Sequence, residues 1–368
     1  MTASADQKGI LLKESESRTV RSGHDDIRQP GQRLSPIERL TASAPPISPE
    51  GYAYRSFDRQ WMLPDARLCN RPRPELQRSH GPQQIYLTSL LTKVLGAGPS
   101  AVITELIPDM DHFCGRGGAD VIPFYRNAAG TQPNITAGVL SLLSATYGYA
   151  VQAPDLMAYV YGLMASPNYV QQFGLELETP GPRVPLTQDG SLFKTVVDLG
   201  RELLWLHTAD NRMALPGQIP GTLPSGRAKI QVSAQSAQYP ESFKYDADTD
   251  ILHVGETGQF GPVSSAVWAF SVSGLHVVDS WLGYRMQKRS GKSSSDLDTI
   301  RPDVWSFDLE LLRLLWMLEA TLDRMPRATD LLRQVVDGPL FVATQLPLPK
   351  PAECKGPEAV LTGSLFDE

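Results

Sequence analysis

The stretch PDLMAYVYGLMASPNYVQQF, residues 154–173, carries a clear helical signal near the middle of the chain. Its large apolar side chains recur at helical spacing, and Pro154 lies near the first turn, where a proline is tolerated. The Ser-Pro-Asn triplet at 166–168 ends this helix, because a residue that precedes proline avoids the helical conformation. A second short helix then runs through Tyr169 and Phe173. The stretch therefore predicts two adjacent helices.

The segments on either side of this stretch predict both strands and helices. Apolar runs bounded by Gly and Pro are typical of strands, and they occur at residues 84–87, 101–104 and 121–125. Residues 227–255 alternate between apolar and polar side chains, which predicts a small antiparallel sheet that we expect to end in the 268–270 segment. Apolar residues share one face in 191–207 and 306–323, which predicts two further helices. We therefore expect an α+β fold of mixed small sheets with packed helices.

Composition limits the class of protein. A chain of 368 residues with 41% hydrophobic content can bury a sizeable core. Its net charge of −6 excludes a uniformly basic nucleic-acid coat, so any DNA-binding face must be local. The wide spacing of Cys69, Cys114 and Cys354 predicts no disulfide framework and no CxxC metal pair, and it favours a reducing compartment. Because secretory and membrane-spanning signals are absent from the sequence, we expect a cytoplasmic protein without a membrane partner.

Three parts of the chain differ in composition. Residues 1–48 are polar and poor in aromatics, which predicts a disordered arm or linker. Residues 346–368 are rich in proline and predict a tail without a fixed fold, although 360–366 have the composition to dock. The folded domain is then 49–345, and the change from strands to helices predicts two sub-lobes that meet near residue 130.

The sequence lacks the motifs of the common nucleotide-dependent enzymes. It contains no GxxxxGK[ST] phosphate loop and no Asn-Pro-Pro-Tyr loop of amino-methyltransferases. The Gly96-Ala-Gly98-Pro stretch resembles a glycine loop, but a proline follows it, so a turn is the favoured interpretation. No GxSxG elbow supports a hydrolase. We expect no cofactor-binding residues in this chain.

Acidic and imidazole side chains cluster in Asp109-Met-Asp111-His112-Phe-Cys114. Such groups could bind a metal or transfer protons, but no distant ligand motif completes a metal shell. A polar loop is the favoured interpretation. His207 and His276 lie beside apolar residues and are interpreted as core or rim histidines. We therefore predict no catalytic and no metal-binding residues.

The most specific pattern in the chain is YRSFDRQW at 54–61, followed by NRPRPEL at 70–76. This pair is similar to the signature that opens the C-terminal specificity region of Type ISP restriction-modification enzymes. Further matches follow in the same order, at 107–113, 122–125, 133–135, 159–169, 182–186, 199–203, 267–268 and 281–285. The resemblance covers about residues 52–325, and its collinearity makes chance a poor explanation.

The resemblance implies a function in binding rather than catalysis. Enzymes of this family join a nuclease, a translocating ATPase, an adenine methyltransferase and the specificity region in one polypeptide, and only the last resembles this chain. We therefore expect a phage-defence module that is not an enzyme by itself and that recognises a target in double-stranded DNA. Its partners would be adenine methyltransferase and helicase–nuclease parts, to which S-adenosylmethionine, ATP and magnesium would belong.

Two alternatives remain open at this point. The chain could be part of a split adenine-specific methyltransferase that is active only with its partner. It could also be a non-functional remnant of a larger enzyme, whose basic clusters have no DNA partner. Sequence-indifferent binding that depends only on salt would indicate the remnant, because electrostatics alone supplies non-specific affinity.

DNA recognition needs Arg and Lys for phosphates and a few polar side chains for base edges. The first basic cluster lies within the motif region, and its candidate residues are Arg55, Arg59, Arg71, Arg73 and Arg78. We expect Pro72 and Pro74 to hold its central arginines on an extended backbone. A structural alternative, in which Arg55 simply pairs with Asp58, stays open for Arg55 and Arg59.

The second basic cluster lies in 284–295, a hydroxyl-rich segment that suits phosphate contacts. Its candidates are Arg285, Lys288, Arg289 and Lys292. A solvated loop with excess charge is the alternative interpretation. Arg116, in the glycine-rich segment 114–118, is a weaker candidate for the same contacts. None of these residues identifies the base sequence that is read.

Overall fold

A computed structural model describes Asp26, Arg212 and residues 32–41, 43–44, 46–69, 72–90, 96–113, 119–179, 181–208, 222–290 and 300–356. Helices and small sheets alternate along this part of the chain, which confirms the α+β class. None of its helices has the length and apolar character needed to cross a bilayer.

The strands of the described residues form small, separate sheets. The first has the order β2-β1-β5 and contains β1 (Glu50–Arg55), β2 (Asp58–Met62) and β5 (Ile107–Pro108). The second has the order β4-β3-β6 and contains β3 (Tyr86–Leu90), β4 (Ala101–Thr104) and β6 (Ala119–Pro123). The third is antiparallel, in the order β7-β10-β9-β8, with β7 (Lys229–Val232), β8 (Phe243–Asp246), β9 (Ile251–Val254) and β10 (Gly258–Gly261). A fourth pairs β11 (Ser271–Val272) with β12 (Leu275–His276).

Most helices lie in the second half of the chain. They are α1 (Pro74–Ser79), α2 (Val139–Tyr147), α3 (Ala153–Met164), α4 (Pro167–Phe173), α5 (Gly190–Thr208), α6 (Ser265–Trp268), α7 (Val277–Gly283), α8 (Asp308–Leu322) and α9 (Met325–Asp337). Helices α3 and α4 confirm the prediction for 154–173, and the Ser166 hydroxyl accepts a bond from the Asn168 amide where α4 begins. Helix α9 is an addition that the sequence interpretation did not include.

Two local predictions are wrong. Trp268 ends a short helix whose first turn is capped by the Ser264 hydroxyl, and the fourth strand of the predicted sheet is instead β10. This strand was missed because it begins and ends with glycine, and a Cβ at Gly258 would lie 2.3 Å from that of Ala234. Pro74 does not prolong an extended segment either, because it occupies the first turn of α1.

The apolar core consists of two clusters of buried side chains. In the first, α3 crosses α5 so closely that a Cβ at Gly200 would lie 1.8 Å from the Ala158 carbonyl oxygen. The second lies under the four-stranded sheet and includes α6, α7 and α8. Strand β4 contributes Ile103 to the first cluster and Val102 to the second. The expected boundary near residue 130 therefore does not separate two cores.

Most of the expected arm, and residues 360–366 of the expected tail, lie outside the described residues. The described segment 32–41 packs on the domain, because Ile37 is buried and Arg67 Nη1 donates to the Ser35 carbonyl at 2.5 Å. Residues 346–356 are also held in place. The Glu353 carboxylate accepts bonds from the backbone amides of Ala137 and Lys350. The expectation of a tail without a fixed fold is therefore wrong for this part of the chain.

Candidate nucleic-acid interface

The motif at 54–61 forms the hairpin of β1 and β2, and its turn points into the protein. Phe57 has a φ of 62°, in the left-handed region that few side chains tolerate. Its ring contacts His207, with 4.8 Å between the ring centroids, and it also contacts Phe270. The backbone amide and hydroxyl of Ser56 both donate to the His112 carbonyl. The turn of the motif is thus part of the core rather than an exposed reading loop.

Arg55 is bound within the protein. Its Nη1 lies 2.9 Å from Asp109 Oδ1, and its guanidinium stacks over the Tyr54 ring at 4.0 Å. The Tyr52 hydroxyl donates to the other oxygen of Asp109, and burial raises the pKa of Tyr52 well above its usual range. Only 13% of the Arg55 side chain is exposed. The structural alternative therefore fits Arg55, but its partner is Asp109 and not Asp58.

Asp58 pairs instead with Arg285, one of the arginines of the second cluster. Arg285 Nη2 lies 2.7 Å from Asp58 Oδ1, and both side chains are buried. The guanidinium also lies 3.8 Å from the centre of the Trp281 ring, and its Nη1 donates to the Trp281 carbonyl. A phosphate could reach Arg285 only by breaking this pair. We therefore assign Arg285 to the scaffold, where it ties the hairpin to α7.

Arg59 is partly bound and partly exposed. Its Nη2 lies 2.8 Å from Glu105 Oε1 and donates to the Thr208 carbonyl at the end of α5. About 40% of the side chain remains accessible. Two residues further along β2, Trp61 is 77% exposed. Strand β2 thus presents a cation and a large aromatic ring on one face.

The remaining candidates differ in accessibility. Arg73 is exposed just before α1, and Arg78 is half-buried in its last turn. Lys288 is exposed and Arg289 is half-buried. The predictions for Arg71, Arg116 and Lys292 concern positions outside the described residues. The candidate interface of the described chain therefore comprises Arg59, Arg73, Arg78, Lys288 and Arg289.

The family model of the Type ISP C-terminal specificity domain matches residues 10–315. This chain belongs to that family. The match begins ahead of the residue-52 start of the sequence resemblance, and it includes the docked segment 32–41. No curated protein matches the chain.

Solved structures share the fold of this specificity domain. The ATP-dependent Type ISP restriction-modification enzyme LlaBIII bound to DNA is similar over 80% of this chain, with 21% identity and a TM-score of 0.57. A nuclease-deletion mutant of the Type ISP enzyme LlaGI in complex with a DNA substrate mimic matches 79% of it, with 17% identity and a TM-score of 0.54. The DrdV–DNA complex matches 82%, with 18% identity and a TM-score of 0.54. The specificity domain spans 19%, 25% and 29% of the lengths of these chains.

Arg301 was not identified from the sequence, yet it positions the second basic cluster of the specificity domain. Its Nη1 donates to the Met286 carbonyl at 2.8 Å, and its guanidinium stacks over the Tyr239 ring at 3.8 Å. The Gln287 amide donates to the Pro240 carbonyl at 2.7 Å. These contacts hold the start of the basic segment against the turn that precedes β8. These contacts could not be predicted from the sequence, because most of the acceptors are backbone carbonyls, which every residue carries.

The acidic and imidazole cluster is structural in this specificity domain. Asp109 binds Arg55 and Tyr52, and His112 is buried with its Nδ1 3.3 Å from the Ala53 carbonyl. Burial lowers the pKa of His112 to about 4, so its imidazole is neutral at pH 7. Among the described residues, no group of three or more His, Cys, Asp or Glu could hold a metal ion. Cys114, the last residue of the predicted cluster, lies outside the described residues.

The other two histidines match the interpretation as core and rim residues. His207 is buried, with its Nδ1 2.5 Å from the Tyr161 hydroxyl and its Nε2 2.9 Å from the Thr321 hydroxyl. Burial lowers its pKa to about 3. His276 is exposed and contacts the Ser271 hydroxyl through Nδ1. Both imidazoles thus have protein partners.

The glycine stretch at 96–98 packs closely against the β11–β12 turn. A Cβ at Gly98, where φ is 94°, would lie 1.7 Å from the Ser271 carbonyl oxygen. The Ser273 and Gly274 amides donate to the Pro99 and Ala97 carbonyls. These glycines are required by the close approach of the β11–β12 turn, so the interpretation as a turn fits the geometry better than a cofactor loop.

Proposed function

We propose that this specificity domain recognises a target sequence in double-stranded DNA for an adenine methyltransferase and the helicase–nuclease parts of a restriction-modification system. The match to the family over residues 10–315 is the observation that carries the proposal. The three similar structures described above are of enzymes bound to DNA or to a DNA substrate mimic, which supports it.

The accessible cations supply the phosphate contacts in this proposal. Lys288 and Arg289 project from a segment that Arg301 holds in place, while Arg59, Arg73 and Arg78 lie in the motif region. A few local cations suffice, because each phosphate contact releases condensed counterions and adds affinity without reading sequence. Arg55 and Arg285 act as scaffold and hold the hairpin in place.

The work of the domain in this proposal is binding, and the chemistry belongs to its partners. Methyl transfer with S-adenosylmethionine and ATP-driven translocation with magnesium are assigned to the methyltransferase and motor parts. Gly98 lies close to the Ser271 carbonyl, and Asp109 and His112 are bound to Arg55 and Ala53, so the proposal gives these residues structural roles.

Selection from a randomised duplex pool tests this function directly. We expect the purified 368-residue chain to enrich one short, asymmetric motif at about 0.15 M salt, where exposed charges are screened beyond ~8 Å. Binding that stays sequence-indifferent and disappears as salt rises would contradict the proposal and would indicate a remnant. A motif that also appears when the methyltransferase part is added, together with methylation of that motif, would extend the proposal to the split enzyme.

Removing Lys288 and Arg289 of the second cluster should weaken binding to all sequences alike. For Lys288→Ala/Arg289→Ala we expect the slope of log affinity against log salt to fall by about 2, because two phosphate contacts are lost. The measurement is fluorescence anisotropy with one duplex at several salt concentrations. The matched control is Lys194→Ala/Arg333→Ala, which removes two exposed helical cations from α5 and α9. Equal slopes for the two variants would remove Lys288 and Arg289 from the interface.

A further inference from the structure

The four-stranded sheet has one buried and one open face. On the buried face, Leu252, Val254 and Phe260 belong to the second core cluster. Side chains alternate between faces along a strand, so Lys244, His253 and Gln259 point the other way. The register pairs Lys244 with His253 and His253 with Gln259, which makes a row across β8, β9 and β10. Adjacent strands are ~4.8 Å apart, so the row spans about 10 Å.

The side chains in this row have polar ends without a hydrogen-bond or ion-pair partner among the described residues. Within the part of the chain that the structure describes, no side-chain hydrogen bond or ion pair involves Lys244, His253 or Gln259. Lys244 is exposed, and the other two are half-buried. Arg55 and Arg59 of the motif and Arg285 of the second basic cluster, in contrast, all bind protein groups.

Packing on the opposite face of the sheet holds the backbone of β8 in place. Tyr245 stacks on Trp268 with 5.1 Å between the centroids, and its hydroxyl donates to the Val263 carbonyl. Phe243 packs on the same tryptophan. A reading surface needs side chains that are held in place before the ligand arrives, because ordering them on binding costs affinity.

We propose that the outer face of β8, β9 and β10 reads base edges in the major groove of duplex DNA, through Lys244, His253 and Gln259. This inference rests on the proposed function. Lys donates to O6 and N7 of guanine, Gln pairs with N6 and N7 of adenine, and an imidazole offers a donor or an acceptor. The row of about 10 Å fits a groove that is ~12 Å wide. Strands that read DNA in this way are an established class of recognition element.

The position of the second basic cluster agrees with this assignment. The Gln287 amide binds Pro240, three residues before β8 begins, so Lys288 follows directly after a residue that is fixed beside the sheet. Strand β8 is an edge strand of the sheet, so Lys288 follows a residue that is bound beside this edge. Phosphate contacts fix the register of a protein on DNA, and base contacts supply the sequence information.

One carboxylate shares the open face. Asp246 lies two residues after Lys244 on β8 and accepts bonds from the Thr249 hydroxyl and the Asp248 amide, which lower its pKa. Its charge is thus partly satisfied by its own turn and by the neighbouring Lys244. An acidic side chain at this place is compatible with DNA, since carboxylates accept from N4 of cytosine.

The test compares the motifs that three forms of the full chain select from a randomised duplex pool. The sheet variant is Lys244→Ala/His253→Ala/Gln259→Ala. Its matched control is Lys194→Ala/His276→Ala/Gln171→Ala, which removes the same residue types at other exposed positions. We expect the control to select the motif of the unmodified chain. We expect the sheet variant to lose roughly 5- to 150-fold discrimination at one or more positions, while its salt slope falls by at most about 1.

Three results overturn the inference. An identical motif for the sheet variant and the control would place base reading elsewhere and leave the proposed function intact. An unchanged motif together with lost binding of the methyltransferase part would assign the open face to a protein partner. Failure of the unmodified chain to select any motif would refute the proposed function itself, and the inference with it. If the triple variant does not fold, Gln259→Ala alone provides the same comparison, because its relaxed preference should be confined to a single base pair.

Discussion

Replacement of Arg285 by methionine is expected to lower the free energy of unfolding by about 3–5 kcal/mol. The substitution leaves the carboxylate of Asp58 buried without its cation, and Asp58 is only 2% exposed. The cation–π contact with Trp281 is lost as well. The measurement is urea unfolding at pH 7 and low salt, which reports stability independently of DNA binding.

An exposed ion pair provides the control for this variant. Arg333 pairs with Asp330 on the surface of α9, where water screens the pair, so Arg333→Met should change the free energy of unfolding far less than Arg285→Met. The double variant Asp58→Asn/Arg285→Met should be more stable than Arg285→Met alone, because it removes the unpaired charge. If Arg285→Met costs no more than Arg333→Met, the pair does not hold the hairpin. If its stability is unchanged while affinity for DNA falls, Arg285 would be a DNA contact after all.

Acidification from pH 7 to pH 5 is expected to destabilise the domain by about 4 kcal/mol through two buried histidines. Burial lowers the pKa of His207 to about 3 and that of His112 to about 4, both below the ordinary value of 6.5. The unfolded chain therefore binds two protons as the pH falls through 6.5, while the folded chain stays neutral at both sites. The stability is complete above pH 6.5 and is lost progressively as the pH falls from that value to about 4 for His112 and to about 3 for His207.

Urea unfolding at pH 7, 6 and 5 measures this loss, with an expected slope of about 2–3 kcal/mol per pH unit below pH 6. In His207→Gln the slope should fall by about half, because one of the two proton-binding groups is gone. His276→Gln is the control, since it removes an exposed histidine and leaves both buried imidazoles in place. Equal stability of the unmodified chain at pH 7 and pH 5 would show that neither imidazole is held neutral.

The helices around residue 160 were predictable because their signal is local. Periodic apolar side chains and the prolines at 154 and 167 specify α3 and α4 within twenty residues, and the structure agrees. Strand β10 was not predictable in the same way. Gly258 and Gly261 have no side chains to show an alternation, and the strand exists because Ala234 and β9 leave room for it.

For the basic clusters, the difference between what the sequence predicts and what only the structure shows is larger. The sequence alone identified the motif at 54–61 and, from its resemblance, the Type ISP specificity family. This was possible because a family is recognised from the order of residue types along the chain. Which arginines of that motif and of the second basic cluster are accessible could not be predicted. The partners Asp109, Glu105 and Asp58 lie from 46 to 227 residues away from the arginines they bind.

The sequence by itself thus determined the family, the α+β class and the positions of the main helices, since each depends on local order and spacing. Only the tertiary structure decided which charges are structural and which remain for a ligand. Arg285 looks like a phosphate contact in the sequence and is buried against Asp58, whereas Lys244 drew no attention and lies on an open sheet face. The physical reason is that accessibility and pairing depend on contacts between distant parts of the chain, and these contacts exist only once the core has packed.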